Sequence, residues 1–278
     1  MRPPPRAGLV TVGTVGVVDP TARFSALVHG PEETLPLDEA TLLVAAHADP
    51  SLDLPAELLR LDDLAAGVGE PNLDGICRHL FGELGFRGAE HDYDDPRNSY
   101  LHVVVERRTG IPITLAIVLV EVGRRLGVPI ACISMPGHFL ARDGLDPEVF
   151  VDAFARGARL DAAGARSRFE RVHGPGAPFD PAFLEPVGPR STLTRVLANL
   201  ERIFTGAGDR ASLRWVLELR AGMPGAGMGE RRRLAALLAS GGQLVEAATL
   251  LEGVAAEAEG AEAEAALTAA HRLRATLN

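Results

Sequence analysis

The stretch Gly110-Ile-Pro-Ile-Thr-Leu-Ala-Ile-Val-Leu-Val-Glu-Val-Gly-Arg-Arg-Leu-Gly-Val-Pro129 decides how the rest of the chain is read. It has the marks of one buried helix. Pro112 stands in the first turn, where a missing N–H costs nothing, and Gly127 followed by Pro129 closes the far end. Arg124 and Arg125 lie in the last turn, where positive charge meets the negative end of the helix dipole. Between these ends the residues are apolar on nearly every side, with Thr114 and Glu121 as the exceptions. A helix of that kind in a globular protein is wrapped by other elements. Thr114 is then a polar residue at the start of a buried helix, a place where nucleophiles and anions are commonly held.

Composition narrows the function classes. The chain has 278 residues, 46% hydrophobic and 23% charged, which fits an ordinary globular protein. A formal charge of −9 leaves no basic footprint for nucleic acid. All 28 basic residues are arginine. Without lysine there is no Walker lysine and no Schiff base, so P-loop and pyridoxal chemistry are excluded. The two cysteines, Cys77 and Cys132, form neither a disulfide framework nor a metal-ligand spacing, which points to a cytoplasmic protein with no metal or cofactor. The apolar stretch Gly8–Val18 follows three prolines and is interrupted by Gly and Thr, so it does not read as a signal segment. No run reaches the ~18 apolar residues of a membrane span.

Outward from the central helix, residues 1–20 read as a flexible tail. Helical periodicity then covers Arg23–His29, Leu37–His47, Pro55–Ala66 and Leu73–Leu84. The loop Tyr93-Asp-Asp-Pro-Arg-Asn-Ser-Tyr-Leu101 reads either as a polar loop facing a ligand or as a capped turn, with Asn98 as the N-cap of a helix to about Arg108. After the helix the period changes. Ile130–Met135, Gly137–Arg142 and Val149–Phe154 read as short strands, the last two joined by a turn at Asp143–Pro147. A hairpin centred on Leu145 sets His138 opposite Asp152, Leu140 opposite Phe150 and Arg142 opposite Glu148. Phe139, Ala141, Val149, Val151 and Ala153 then share the other face.

A proline-rich stretch at 175–190 reads as a linker. Beyond it, Leu193–Thr205, Ala211–Leu219, Glu230–Ser240, Leu244–Ala258 and Glu262–Thr276 are helical, with Gly or Asp turns between them. The segment Leu234–Glu252 is similar to a tetratricopeptide unit, and a plain helical bundle is the other reading. The fold class is α+β: a helical N-terminal part and a buried central helix on a small antiparallel sheet, followed by a repeat-like α-helical domain. The expected division is a tail at 1–20, a core at 21–174, a linker at 175–190 and a helical domain at 191–278.

Thr114 at a buried helix start, His138 on the next strand and Asp152 on the strand after it have the logic of a triad, in which a His activates a nucleophile and a carboxylate orients the His. Several runs carry a family resemblance: Tyr93–Leu101, Arg107-Arg-Thr-Gly-Ile-Pro-Ile-Thr-Leu115, Arg124-Arg-Leu-Gly-Val-Pro129, Met135-Pro-Gly-His-Phe-Leu-Ala-Arg142 and Phe150-Val-Asp-Ala-Phe154. They resemble the SirB-type branch of the transglutaminase-like superfamily. The N-terminal helices and the tetratricopeptide-like tail are similar to that branch too.

The resemblance implies a core in which Thr114 takes the place of the catalytic Cys, His138 that of the His and Asp152 that of the Asp. A hydroxyl in that place implies a pseudoenzyme, acting as a binding or regulatory protein that holds a protein partner through its C-terminal helices. The alternative is a hydrolase or acyltransferase using Thr114, His138 and Asp152. A third reading keeps His138 and Asp152 only because a buried polar group needs its partner.

Overall fold

The computed structural model describes residues 19–276. The tail expected at 1–20 lies almost wholly outside them. Asp19 already caps the first helix, accepting the N–H groups of Thr21 and Ala22, and Pro20 is its first residue. In chain order the helices are α1 (Pro20–His29), α2 (Leu37–Ala46), α3 (Leu54–Ala66), α4 (Leu73–Cys77), α5 (Leu101–Arg107) and α6 (Pro112–Leu126). Two short strands, β1 (Arg87–Gly88) and β2 (Thr109–Gly110), pair in parallel beside α6. There follow β3 (Ile130–Ile133), β4 (Leu140–Asp143), β5 (Phe150–Asp152), β6 (Ala158–Leu160), α7 (Ala162–His173) and β7 (Pro186–Val187). The chain then runs through α8 (Pro189–Ala207), α9 (Arg210–Ala221), α10 (Met228–Ser240), α11 (Leu244–Glu257) and α12 (Gly260–Ala275).

The central helix ends where its sequence says it should. Gly127 takes the left-handed cap at φ 69°, returning its N–H to the Arg124 carbonyl. Ile113, Leu115, Ile117, Leu119 and Val122 are buried, and so are Thr114 and Glu121. Helices α2, α3, α4 and α5 and strands β3 and β4 all pack against α6. A Cβ at Gly123 would stand 2.7 Å from the Ile130 side chain, so a glycine there lets β3 approach the helix closely.

Glu121 is not an exposed exception to the apolar pattern. It joins buried Asp38 of α2 to Arg124 and Arg125 through contacts of 2.7–3.1 Å. Burial, and then the nearby Asp38 carboxylate, push the Glu121 carboxyl up to about 7, against the pull of the two arginines.

Strands β6-β5-β4-β3-β7 form one antiparallel sheet. Its α6 face carries Cys132, Phe139, Ala141, Val151 and Ala153, and its other face packs Leu140 and Phe150 against Phe169 of α7. The hairpin register differs from the expected one. Ala141 pairs with Val151 and Arg142 with Phe150, two residues further along. The turn is centred on Asp146 because Gly144 donates its N–H to Pro129 (2.8 Å), while Asp143 donates to Val149 (3.0 Å). A shift of two preserves both faces, since side chains alternate with period two.

Three further local expectations change. Leu73–Leu84 is not one α-helix: it passes at Arg78–Glu83 into a π-helical turn. Asn98 does not cap α5. Asp95 caps a 3-10 turn at Pro96–Ser99, and α5 starts after Tyr100 without a side-chain cap. The stretch expected as a linker carries a 3-10 turn at Pro181–Leu184 and the edge strand β7.

The expected division at 175–190 does not divide the core. Leu193, Val196, Leu197 and Leu200 of α8 and Val216 of α9 belong to the same buried cluster as the central helix. Arg190 fastens this junction, donating from Nε to the Val28 carbonyl at 2.8 Å and pairing with Glu32 at 3.1 Å. A second, smaller cluster joins α9 through α12.

Candidate functional site

Thr114 is the third residue of α6 and is fully buried. Helical Ser and Thr hydroxyls commonly bond the carbonyl four residues back. Thr41 does so to Leu37 at 2.7 Å, and Thr192 to Gly188 at 3.1 Å. Thr114 does not: its Oγ1 has no hydrogen-bond partner. The carbonyl that would serve, Gly110, already accepts the Ala89 N–H at 2.9 Å.

His138 sits before β4 rather than in it. A turn at Pro136–Gly137 delivers it, and its own N–H donates to the Met135 carbonyl at 3.1 Å. Gly137 has φ +75°, and a Cβ there would stand 2.6 Å from Val172. That backbone and that close approach both require glycine. Asp152 is the last residue of β5. Although its pairing partner across the sheet is not His138, the carboxylate reaches the His138 ring, with Nε2 to Oδ1 at 3.1 Å. This contact leaves His138 Nδ1 as the nitrogen for any other partner.

Two more groups hold Asp152. The Ala155 N–H donates to Oδ1 at 3.1 Å, and Arg168 of α7 places Nε 2.9 Å from Oδ2. Burial pushes this carboxyl upward, but the His138 ring, the Ala155 N–H and the Arg168 charge outweigh it and hold the group below the usual aspartate range. The structure thus sets His138 Nε2 and Arg168 Nε at ion-pair distance from Asp152, neither in hydrogen-bond geometry, and leaves Thr114 Oγ1 without a hydrogen bond.

Sequence reasoning missed Arg168, which was one arginine among 28 with no spacing to mark it. It also missed Phe154, whose ring meets His138 edge to face at 6.3 Å and Tyr93 at 6.1 Å. A cleft of about 350 Å³ lies against Phe154, between Gly88, His91 and Arg156. The Tyr93–Leu101 loop turns inward as well as outward. Asn98 is buried, donates from Nδ2 to Asp92 at 2.6 Å, and its carbonyl accepts the Ile111 N–H at the start of α6 at 3.4 Å. The Asn98 Oδ1 and the buried Ser99 hydroxyl have no partner. The signal for this was the run of polar residues itself, which a capped turn also explains.

Known proteins share this frame. The family model described as the transglutaminase-like superfamily matches residues 44–198, which span α6, the sheet and the first half of α8. The chain belongs to the transglutaminase-like superfamily. It is 40% identical over 196 residues to the UPF0162 protein of Xylella fastidiosa strain Temecula1, covering 65% of this chain and 70% of that one. A UPF0162 protein of Pseudomonas aeruginosa is 32% identical over 193 residues, covering 64% and 68%. F-box only protein 21 of Mus musculus is 39% identical over 97 residues, covering 32% of this chain and 16% of that protein. No solved structure matches the chain. Among the described residues no three His, Cys, Asp or Glu side chains gather as a metal site, and no helix is long and apolar enough to cross a membrane.

Proposed function

We propose that this chain is a non-catalytic binding protein built on the transglutaminase-like core, of the SirB type, with Thr114 where a nucleophilic thiol would stand. The observation that carries the reading is the buried Thr114 hydroxyl without a hydrogen bond to His138. A helix terminus contributes about 0.3–1 kcal/mol, up to ~2, and each unit of pKa is worth ~1.36 kcal/mol. That is enough to bring a thiol from ~8.5 towards neutrality. An alcohol, whose pKa lies far above that of a thiol, stays un-ionised. Arg168 supports the same reading. The charge of Asp152 is shared with a permanent cation, so less of it is left to stabilise an imidazolium.

The C-terminal helices supply the second half of the proposal. Helices α10, α11 and α12 pack as successive neighbours, with Ala247, Ala248 and Ala270 buried where they cross. Small residues at such crossings suit a tetratricopeptide-like array, which we take to hold a protein partner. The alternative, a Thr114-His138-Asp152 hydrolase or acyltransferase, is favoured by the 3.1 Å contact between His138 and Asp152.

One pair of variants separates the readings. The wild-type chain and Thr114→Ala are assayed against p-nitrophenyl esters and peptide amides, and Thr114→Cys is titrated by its rate of alkylation against pH. The proposal expects no turnover that depends on Thr114, and a Thr114→Cys thiol that titrates below the equally buried Cys132, which burial pushes up to about 12. Turnover by the wild type that Thr114→Ala abolishes would overturn it in favour of the hydrolase.

A further inference from the structure

A second, wide cleft lies at the other end of the central helix. Its volume is about 970 Å³, and its walls come from the start of α4, the loop after α6, the β4–β5 turn and the start of α7. The run of α6 from Thr114 to Gly127 separates the cleft from Thr114 by about 20 Å. Nothing in the binding reading above uses it. Its floor is apolar: Val128, Pro129, Val149 and Leu160 lie in it, and Leu145 at the hairpin tip stands 80% exposed over its edge. Leu145 and these residues together give the cleft an apolar lining that can take apolar side chains.

The charges around the floor that have no ion-pair partner are of one sign. Asp143, Asp146, Glu148 and Asp161 stand on the walls. Arg159, the one arginine among the lining residues, is paired with Asp74. Among the described residues the four carboxylates have no basic side chain in contact. Three of them use one oxygen to fix local backbone: Asp143 accepts the Leu145 N–H, Asp146 that of Glu148, and Asp161 that of Gly164, at 2.7–3.0 Å. The positive ends of the two flanking helices are already met, by Asp161 for α7 and by Asn72 for α4. The C-terminal end of α6, which carries partial negative charge, faces the same cleft through Gly127.

A metal ion does not fit. The carboxylates do not converge as a ligand set, and a hydrated cation gains nothing from an apolar floor. Separate negative charges around an apolar trough instead match separate cationic side chains interleaved with apolar ones. We infer that this cleft docks a protein segment rich in arginine or lysine and carrying apolar side chains, with Leu145 and the floor taking the apolar groups and the four carboxylates the cationic ones.

The test uses the full chain and a short fluorescent peptide that alternates arginine and leucine, with a glutamate–leucine peptide as its counterpart. Binding is followed by fluorescence anisotropy at low and at physiological salt. The first variant is Asp146→Asn with Glu148→Gln, which removes two charges and keeps the acceptor for the Glu148 N–H. The second is Leu145→Ser. The control, Glu33→Gln with Glu264→Gln, removes two exposed charges elsewhere. The arginine–leucine peptide is expected to bind, more weakly as salt rises, and the glutamate–leucine peptide not to bind. The first variant should weaken binding at least about tenfold and flatten the salt dependence. Leu145→Ser should weaken binding and leave the salt slope in place. The inference fails if the wild type does not bind the peptide, or if the first variant binds as the wild type does. It fails equally if the control weakens binding as much as the first variant, since general attraction to an acidic chain would then explain the result.

Discussion

Replacing Thr114 with valine tests the central helix at its one unmet polar atom. The two side chains have nearly the same shape, so the exchange deletes a hydroxyl and adds a methyl group. The Thr114 Oγ1 is buried and has no hydrogen-bond partner. Leaving such a group unpaired costs about 1–3 kcal/mol, and one buried methyl contributes ~0.8 kcal/mol. Thr114→Val is therefore expected to stabilise the fold by about 1–3 kcal/mol. The same exchange at Thr41 is the internal control. Its hydroxyl donates to the Leu37 carbonyl at 2.7 Å, so Thr41→Val is expected to cost about 0.5–1.5 kcal/mol. Urea unfolding of the two variants beside the wild type, with the slope m unchanged, measures both differences. Destabilisation by Thr114→Val of more than about 1 kcal/mol would refute the reasoning, because the hydroxyl would then have a partner that holds it.

Two other perturbations read the charges. Arg168→Met takes the permanent counter-charge from buried Asp152. Because Asp152 keeps the Ala155 N–H and the His138 ring, the exchange is expected to destabilise the protein by about 1–3 kcal/mol at neutral pH, and no measurable loss in urea unfolding would contradict the pairing. Glu121 is held at about 7 against an ordinary value of 4.5, so between those values the native protein binds a proton that the unfolded chain has released. Stability from this group is full below the lower value and declines as pH rises to the upper one. Glu121→Gln should remove that decline, so its urea midpoint gains on the wild type with rising pH, whereas parallel curves would contradict the assignment.

What the sequence disclosed were features with local causes. Proline at one end and a left-handed glycine at the other bounded α6 correctly. The alternation of Phe139, Ala141, Val151 and Ala153 assigned the sheet's faces, because period two survives a shift of two. What stayed hidden depends on distant partners. Pro129 captures Gly144 and so moves the hairpin centre, and no residue inside the hairpin announces it. Asn98 has the composition of a cap, but an inward position gives it the Asp92 carbonyl instead. Arg168 and Asp38 look like any surface charges until α7 and α2 fold against the site and the central helix. The two-residue strand β7 is too short for any periodicity to reveal.

The fastening at Arg190 bears on the order in which the molecule is made. Its partners Val28 and Glu32 leave the ribosome about 160 residues ahead of it, and the cluster that buries α6 draws on residues as late as Met223. Closing so long a loop comes before its reward in buried surface. During synthesis the apolar central helix is therefore complete while one of its covering helices is still unmade, and the nascent chain carries that uncovered flank until α8 arrives. A chain cut in the proline-rich stretch would keep the flank permanently, and its fate would be decided by association with other chains.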